Sequence, residues 1–197
     1  MNFYINGELI DVTLEDEKTI GDVLKSFEKT CEENKMATVA IKIDGKQVTA
    51  EDFDSYIPHP LEAKTKIEVT VISENDVVTS LCSLIEPFSD IIEDIKTIPM
   101  QLQKGEDAKA NKTIAVLADI IDQFCHSATY SALFPEKFDI LRIDDKNLAD
   151  FFSDFSKILG DFKEALENKD SVTISDLAEY EICPRILGIV EALEKLK

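Results

Sequence analysis

The residues that could act as nucleophiles or as general acids and bases near neutral pH are few and scattered in this chain. They are two histidines and four cysteines: His59, His126, Cys31, Cys82, Cys125 and Cys183. His126 follows Cys125 directly, but successive residues of a helix point about 100° apart, so these two do not face each other as a catalytic dyad would. The sequence therefore predicts no Cys–His catalytic centre.

Metal and phosphate sites are not indicated either. None of the cysteines forms a C-x-x-C pair, whereas structural zinc sites usually draw on closely spaced ligand pairs. Each cysteine lies in an apolar-periodic stretch, where a free thiol behaves as a small buried hydrophobe. The six glycines do not assemble into a phosphate-binding loop. We expect a protein without metal, cofactor or enzymatic activity.

One acidic cluster near the C-terminus has two interpretations. Asp176, Glu179 and Glu181 could bind a divalent cation or perform acid–base chemistry. The pattern is more typical of a helix cap followed by a solvated acidic first turn, which the helix dipole favours. Tyr180 lies among these carboxylates, one turn before Pro184, and is a candidate anchor for a partner protein. The alternative, a Tyr180 packed inside the helical bundle, is the commoner arrangement.

Charge limits the classes of partner. The chain of 197 residues has 21 Lys and Arg against 40 Asp and Glu, for a net charge of −19. Phosphate backbones and anionic membrane surfaces would repel it, which argues against nucleic-acid and membrane binding and permits a basic protein partner. No apolar run approaches the roughly 18 residues of a membrane span, and Met1–Glu8 does not read as a secretory signal. We expect a cytoplasmic protein.

The N-terminal part has the pattern of a small sheet with one helix. Residues 2–12 form two extended runs joined at Asn6-Gly7, a tight-turn signal. Thr19 and Asp22 have capping-box spacing before a helix with an apolar stripe. Strand patterns follow at 39–43, at 46–49 after the Asp44-Gly45 turn, and at 66–72, beyond an irregular stretch with two prolines. The stripe of the helix consists of Ile20, Val23, Leu24, Phe27 and Cys31.

These elements resemble ubiquitin across residues 1–73. The similarity is carried by Thr19-Ile20-Gly21-Asp22-Val23 at the helix start, Gly45-Lys46-Gln47-Val48 at the turn into the short strand, and the residues 54–57 and 65–69 before and within the last strand. The resemblance implies a β-grasp domain. Ubiquitin and its sulfur-carrier relatives end in Gly-Gly, but here Ile72 continues through Ser73 and Glu74, so conjugation is not expected.

The outward face of the predicted sheet also departs from ubiquitin, whose receptors bind an apolar patch. Here that face is mostly polar: Tyr4, Ala40, Lys42, Glu68 and Thr70. Recognition of partners in the manner of ubiquitin is therefore not expected, and the other half of the chain becomes the place to look for the main contact.

From residue 75 the apolar period is that of helices. It predicts segments over 76–102, divided or kinked at Pro87 and Pro99, over 106–133, over 146–168, and over 173–196 with Thr173 as cap and a kink or split near Pro184. Residues 136–145 are the predicted linker, with Asp144-Asp145 as a turn and helix cap. The predicted fold is α+β: a ubiquitin-like β-grasp domain over 1–74 and a four-helix-type bundle over 75–197.

Residues 102–108 and 176–181, with Pro184 following, resemble a helical module of uncharacterised bacterial proteins. That resemblance implies a bacterial source and no particular activity. Two domains that commonly bind proteins, without chemistry in either, indicate a non-catalytic adaptor or scaffold. A first alternative is an acidic cytosolic chaperone or accessory factor of a bacterial secretion or flagellar export system. A second is a small-ligand sensor with a pocket in the bundle.

Overall fold

The computed structural model describes residues 1–197, which divide into two compact units, Met1–Asp76 and Val77–Lys197. We refer to them as the sheet unit and the helical unit. The first is built on a mixed five-stranded sheet and the second on helices alone, so the predicted α+β class is confirmed. No helix combines the length and the apolarity needed to cross a membrane.

The sheet has the strand order β2-β1-β5-β3-β4, with β1 parallel to β5 and every other pair antiparallel. Both predicted tight turns are confirmed. Asn6 and Gly7 have φ of 51° and 88°, and Asp44 and Gly45 have φ of 49° and 81°, the left-handed values that two-residue hairpin loops require. The strands are β1 Asn2–Ile5, β2 Glu8–Ile10, β3 Met36–Ile43, β4 Lys46–Gln47 and β5 Lys66–Ser73.

Helix α1, Ile20–Glu33, covers one face of this sheet and begins with the predicted capping box. The Thr19 hydroxyl accepts from the Asp22 N–H at 3.2 Å, and Asp22 Oδ2 accepts from the Thr19 N–H at 2.9 Å. The predicted stripe is buried except for Phe27, which is partly buried. It packs on the inner side chains of the strands: Phe3, Ile43, Ile67, Val69 and Val71.

The stretch between β4 and β5 was predicted to be irregular, yet it contains helix α2, Ala50–Tyr56, capped by the Thr49 hydroxyl. The chain after α2 lies close to the start of α1, where Gly21 N–H donates to Ile57 O at 3.1 Å. A Cβ at Gly21 would lie 2.6 Å from Ile57 Cγ2, so this close approach requires glycine.

The helical unit is divided more finely than the four predicted segments. The first predicted segment breaks at Ser83-Leu84 and not at either proline. Pro87 lies in the first turn of α4, where its missing N–H costs nothing, and α4 continues through Pro99, whose ring is buried. The helices are α3 Glu74–Cys82, α4 Ile85–Gln103, α5 Asp107–Ser131, α6 Pro135–Phe138, α7 Leu148–Glu167, α8 Ser171–Asp176 and α9 Cys183–Glu194, with a π-helix at Leu177–Ile182 between the last two.

Two of the predicted helix caps were wrong. Asn147 and not Asp145 caps α7, accepting from the Asp150 N–H at 2.9 Å, because Asp144 and Asp145 both adopt left-handed φ in the preceding turn. Asp170 and not Thr173 caps α8, accepting from the N–H groups of Val172 and Thr173 at 3.2 Å. The aspartate one turn earlier therefore starts the helix before the predicted position.

The predicted linker over 136–145 was also wrong, because the segment is packed. It begins in α6, and Phe138, Leu141 and Ile143 are all buried. Its end lies close to α9, where a Cβ added to Gly188 would be 3.0 Å from an Asp144 carboxylate oxygen and 3.3 Å from Ile143 Cγ2. Every second or third residue of the segment is apolar, and this spacing was the signal of burial.

Candidate functional site

The four residues predicted for partner binding lie at the junction of α8 and the π-helix. Asp176 ends α8, while Glu179, Tyr180 and Glu181 belong to the π-helix. The Tyr180 side chain is 65% exposed, so the alternative in which it packs inside the bundle is wrong. An aromatic residue this exposed is available for contact with a partner.

The spacing of the buried residues explains why the chain forms a π-helix here. Ile174, Ala178, Ile182 and Ile186 are all buried and follow one another at intervals of four residues. In a regular α-helix each such interval exceeds a full turn by roughly 40°, so the stripe would rotate away from the core. The wider turns of a π-helix keep the four residues on the buried side. Tyr180 then lies midway between two buried residues and faces out.

Two further apolar residues continue outward from Tyr180 along the start of α9. Pro184 and Leu187 are exposed, the latter at 48%, and they follow Tyr180 at intervals of four and three residues. This spacing places side chains along one side of a helix. We call these three residues the Tyr180 surface. It consists of an exposed aromatic side chain, a proline ring and an aliphatic side chain along one side of the helix.

The charges around the Tyr180 surface differ in one respect from the cluster of three carboxylates noted in the sequence. Glu181 is neutralised by Arg185, whose Nη1 donates to its carboxylate at 2.6 Å and to its carbonyl at 2.8 Å. Asp176 and Glu179 form no ion pair. On α4, the pKa of Lys96 is raised, chiefly by its hydrogen bond to Glu93 and to a smaller extent by Glu179. Asp176 and Glu179, four residues and one residue before Tyr180, are therefore the two carboxylates of the cluster that form no ion pair.

The adjacent residues Cys125 and His126 make separate contacts. His126 packs edge-on against Tyr130, with the ring centroids 5.1 Å apart, while Cys125 lines a cleft described below. The pKa of the Cys125 thiol is raised, first by burial and then by the Asp122 carboxylate, which disfavours the reactive thiolate. No three His, Cys, Asp or Glu side chains are grouped as metal ligands.

A cleft in the helical unit was not predicted from the sequence. It has a volume of about 820 Å³ and lies between α5, the packed segment after α6, and the start of α7. Much of its wall is apolar, and its polar lining is Thr129, Asp139, Arg142 and Asn147 together with Ser131 and Cys125. The cleft forms because the segment 136–145, which was predicted to be a linker, packs close to α5. No local sequence pattern specifies this tertiary arrangement.

Arg142 is one of only two arginines in the chain, and no carboxylate lies within 4 Å of its guanidinium. Its Nη1 donates to the main-chain carbonyls of Asp139 and Leu141, which fixes the position of the head group. The other guanidinium N–H groups have no partner within the chain. In a protein with 40 acidic residues, this arginine is left without a counter-charge.

The fold and its sites define a two-unit α+β protein in which a mixed sheet precedes helices, with an exposed aromatic surface and an apolar cleft on the helical part. Residues 79–192 match the family described as Domain of unknown function (DUF8042), and the chain belongs to that family. Residues 1–73 match the TP0873 N-terminal domain.

One relative extends over nearly the whole chain. It is an uncharacterized protein of Treponema pallidum (strain Nichols), 26% identical over 193 residues, which cover 98% of this chain and 96% of that protein. No solved structure matches. These findings confirm the expectation of a two-domain protein that resembles uncharacterised bacterial proteins.

Proposed function

We propose that the protein is a non-catalytic cytoplasmic adaptor that binds a basic protein partner through the Tyr180 surface. The observation that carries this proposal is the 65% exposure of Tyr180 on a π-helix, in line with exposed Pro184 and Leu187. Aromatic side chains in partly apolar surroundings supply much of the energy of protein interfaces. π-Helical turns also occur frequently at functional sites.

The proposed basic character of the partner follows from the charges. Asp176 and Glu179 lie close to Tyr180 in the sequence and form no ion pair, within a chain of net charge −19. Such a field speeds the encounter with a cationic surface, and the effect weakens as salt rises. Because Glu181 is paired with Arg185, it contributes little to this attraction and serves instead to hold the turn.

For the sheet unit we propose a β-grasp fold of the ubiquitin type. The support is the central parallel pair β1 and β5, the flanking hairpins and the single long helix on one face. The chain continues from Ile72 through Ser73 into α3 without Gly-Gly, so the proposed role is that of a fixed module and not of a conjugated modifier. The outer side of its sheet has one aromatic residue, Tyr4, already covered by Lys66 at 4.7 Å.

The test compares Tyr180→Ala with Val116→Ala, since Val116 is an exposed apolar residue of α5 at 42% exposure. The purified variants of the 197-residue chain serve as bait in extracts of the source organism. We expect Tyr180→Ala to lose a partner that Val116→Ala and the unaltered chain retain, with melting temperatures unchanged, and capture to fall as salt rises.

Capture that is indifferent to Tyr180→Ala would refute the proposal. A drop of several degrees in the melting temperature of that variant would also refute it, because the tyrosine would then be structural. An exported subunit as the captured partner would favour the export-chaperone alternative over the adaptor.

A further inference from the structure

We propose that the cleft of the helical unit binds an apolar carboxylate, with Arg142 as the group that receives the carboxylate. The site is separate from the Tyr180 surface and does not depend on the adaptor function. Its volume of about 820 Å³ lies within the range of small-molecule sites, about 300–1,000 Å³.

The apolar residues that line the cleft indicate the chemical nature of the larger part of the ligand. Ala128, Ala132, Phe138, Leu141 and Phe152 contribute alanine methyls, a leucine and two aromatic rings from three elements of the unit. Water in contact with such a surface is released when an aliphatic or aromatic group replaces it, at a gain roughly proportional to the area covered. The body of the ligand is therefore hydrocarbon.

Arg142 indicates the head group. Its guanidinium is held through Nη1 by two main-chain carbonyls, and its remaining N–H donors have no protein acceptor. Planar guanidinium groups bind carboxylates through paired, charge-assisted hydrogen bonds. Thr129 and Asn147 also line the cleft, but the Thr129 hydroxyl donates to the Cys125 carbonyl at 2.9 Å and the Asn147 amide donates to the Asp150 carboxylate at 2.7 Å. Arg142 is therefore the donor that remains for the head group. With a single cation in the lining, a head group with one negative charge fits better than a doubly charged phosphate.

Asp139 carries a negative charge in the lining of the cleft, and its substitution provides a second test with the opposite expected effect on carboxylate binding. Asp139 lines the cleft and forms no ion pair with Arg142, so its negative charge disfavours a bound anion. Removal of that charge by Asp139→Asn should tighten carboxylate binding, whereas removal of the cation by Arg142→Gln should weaken it. A surface that binds hydrocarbon without regard to charge would respond to neither substitution.

The probe is sodium decanoate, with 1-decanol and decyl phosphate as neutral and doubly charged comparisons, titrated into the full chain by calorimetry. We expect saturable one-to-one binding of decanoate, about tenfold weaker for Arg142→Gln and tighter for Asp139→Asn, with decanol weaker than decanoate. Arg142→Lys, which keeps the charge but loses the planar fork, should bind at an intermediate level and controls for a folding defect in Arg142→Gln.

The reactivity of Cys125 can be used to locate the bound decanoate. Decanoate should slow alkylation of Cys125 by N-ethylmaleimide, followed peptide by peptide in the mass spectrometer, and leave Cys82 unaffected, since Cys82 does not line the cleft. Equal affinity for decanol and decanoate, no response to Arg142→Gln, or binding without protection of Cys125 would each overturn the proposal. Preference for decyl phosphate would overturn the carboxylate assignment.

Discussion

The sheet unit and the helical unit differ in how much large apolar side chain each one buries. Among the largest fully buried side chains, only Ile67 belongs to the sheet unit, while the inner residues of β3 are largely half-buried. The others belong to the helical unit: Leu81, Phe88, Ile95, Ile98, Phe124, Ile143, Phe155, Ile174, Ile182, Ile186 and Ile189. Small domains have little stability in reserve. The helical unit can therefore leave Tyr180 exposed and a cleft open at a smaller relative cost.

The largest expected effect comes from the same substitution in the two cores. Ile67→Ala and Ile95→Ala each remove a fully buried isoleucine and should each cost about 2–5 kcal/mol of unfolding free energy. We expect Ile67→Ala to unfold the sheet unit, while Ile95→Ala leaves the helical unit folded but less stable. Hydrogen exchange read by mass spectrometry reports both units in one sample. If the two substitutions caused an equal loss of hydrogen-exchange protection in their own units, the expected difference in stability between the units would be contradicted.

A smaller effect is expected at the helix caps. Thr19→Ala removes the hydroxyl that caps α1, and Asp170→Ala removes the carboxylate that caps α8; each should cost about 1 kcal/mol. A given loss lowers the melting temperature more in a smaller domain, because its entropy of unfolding is smaller. The melting temperature of the sheet unit should therefore fall further after Thr19→Ala than that of the helical unit after Asp170→Ala. The opposite order, read from unit-specific NMR signals during heating, would show that size does not set this response.

The smallest effect concerns acid stability. The pKa of Asp22 is lowered by hydrogen bonds from the Lys18 N–H, the Thr19 hydroxyl and the Thr19 N–H. The pKa of Asp22 is lower in the folded chain than in the unfolded chain. Ionised Asp22 therefore contributes its full stabilisation of the fold above the unfolded pKa, about 3.9, and this stabilisation is lost as the pH falls through the folded pKa. Asp22→Asn should therefore be less stable than the unaltered chain at pH 7 and nearly equal to it at pH 2.

Melting temperatures of the sheet unit between pH 7 and pH 2 test this expectation. A difference between the two proteins that stays constant over the whole range would mean that the charge of Asp22 is irrelevant. Asp170→Asn offers the same comparison in the helical unit, because the pKa of Asp170 is lowered by the Thr173 hydroxyl and the Thr173 and Val172 N–H groups.

Features that depend on neighbouring residues were predictable from the sequence. The turn at Asn6-Gly7, the Thr19–Asp22 capping box and the stripe of α1 are each decided within a few residues. The same local reasoning misplaced the helix break at Pro87, because a helix tolerates proline in its first turn and the start of α4 could not be located from periodicity.

The sites were less predictable, because they depend on contacts between distant segments. Tyr180 could be identified as a candidate from its residue type and position. Its exposure, however, follows from the π-helix. The spacing of Ile174, Ala178 and Ile182 at intervals of four residues was the sequence signal for that π-helix. The cleft requires residues 138–142 to pack near α5, and no local pattern specifies that approach. Arg142 has no local sequence signal that distinguishes it from the other basic residues.

The π-helix also affects how the length of the chain can change. A π turn contains one residue more than the α turn it replaces. Elsewhere in an α-helix, the loss of one residue rotates every later side chain by about 100° and turns buried residues outward. Within Leu177–Ile182 such a loss would convert the π turn into an α turn and leave α9 in phase with the core. This segment is therefore the place where a single-residue deletion can be accommodated without repacking the unit.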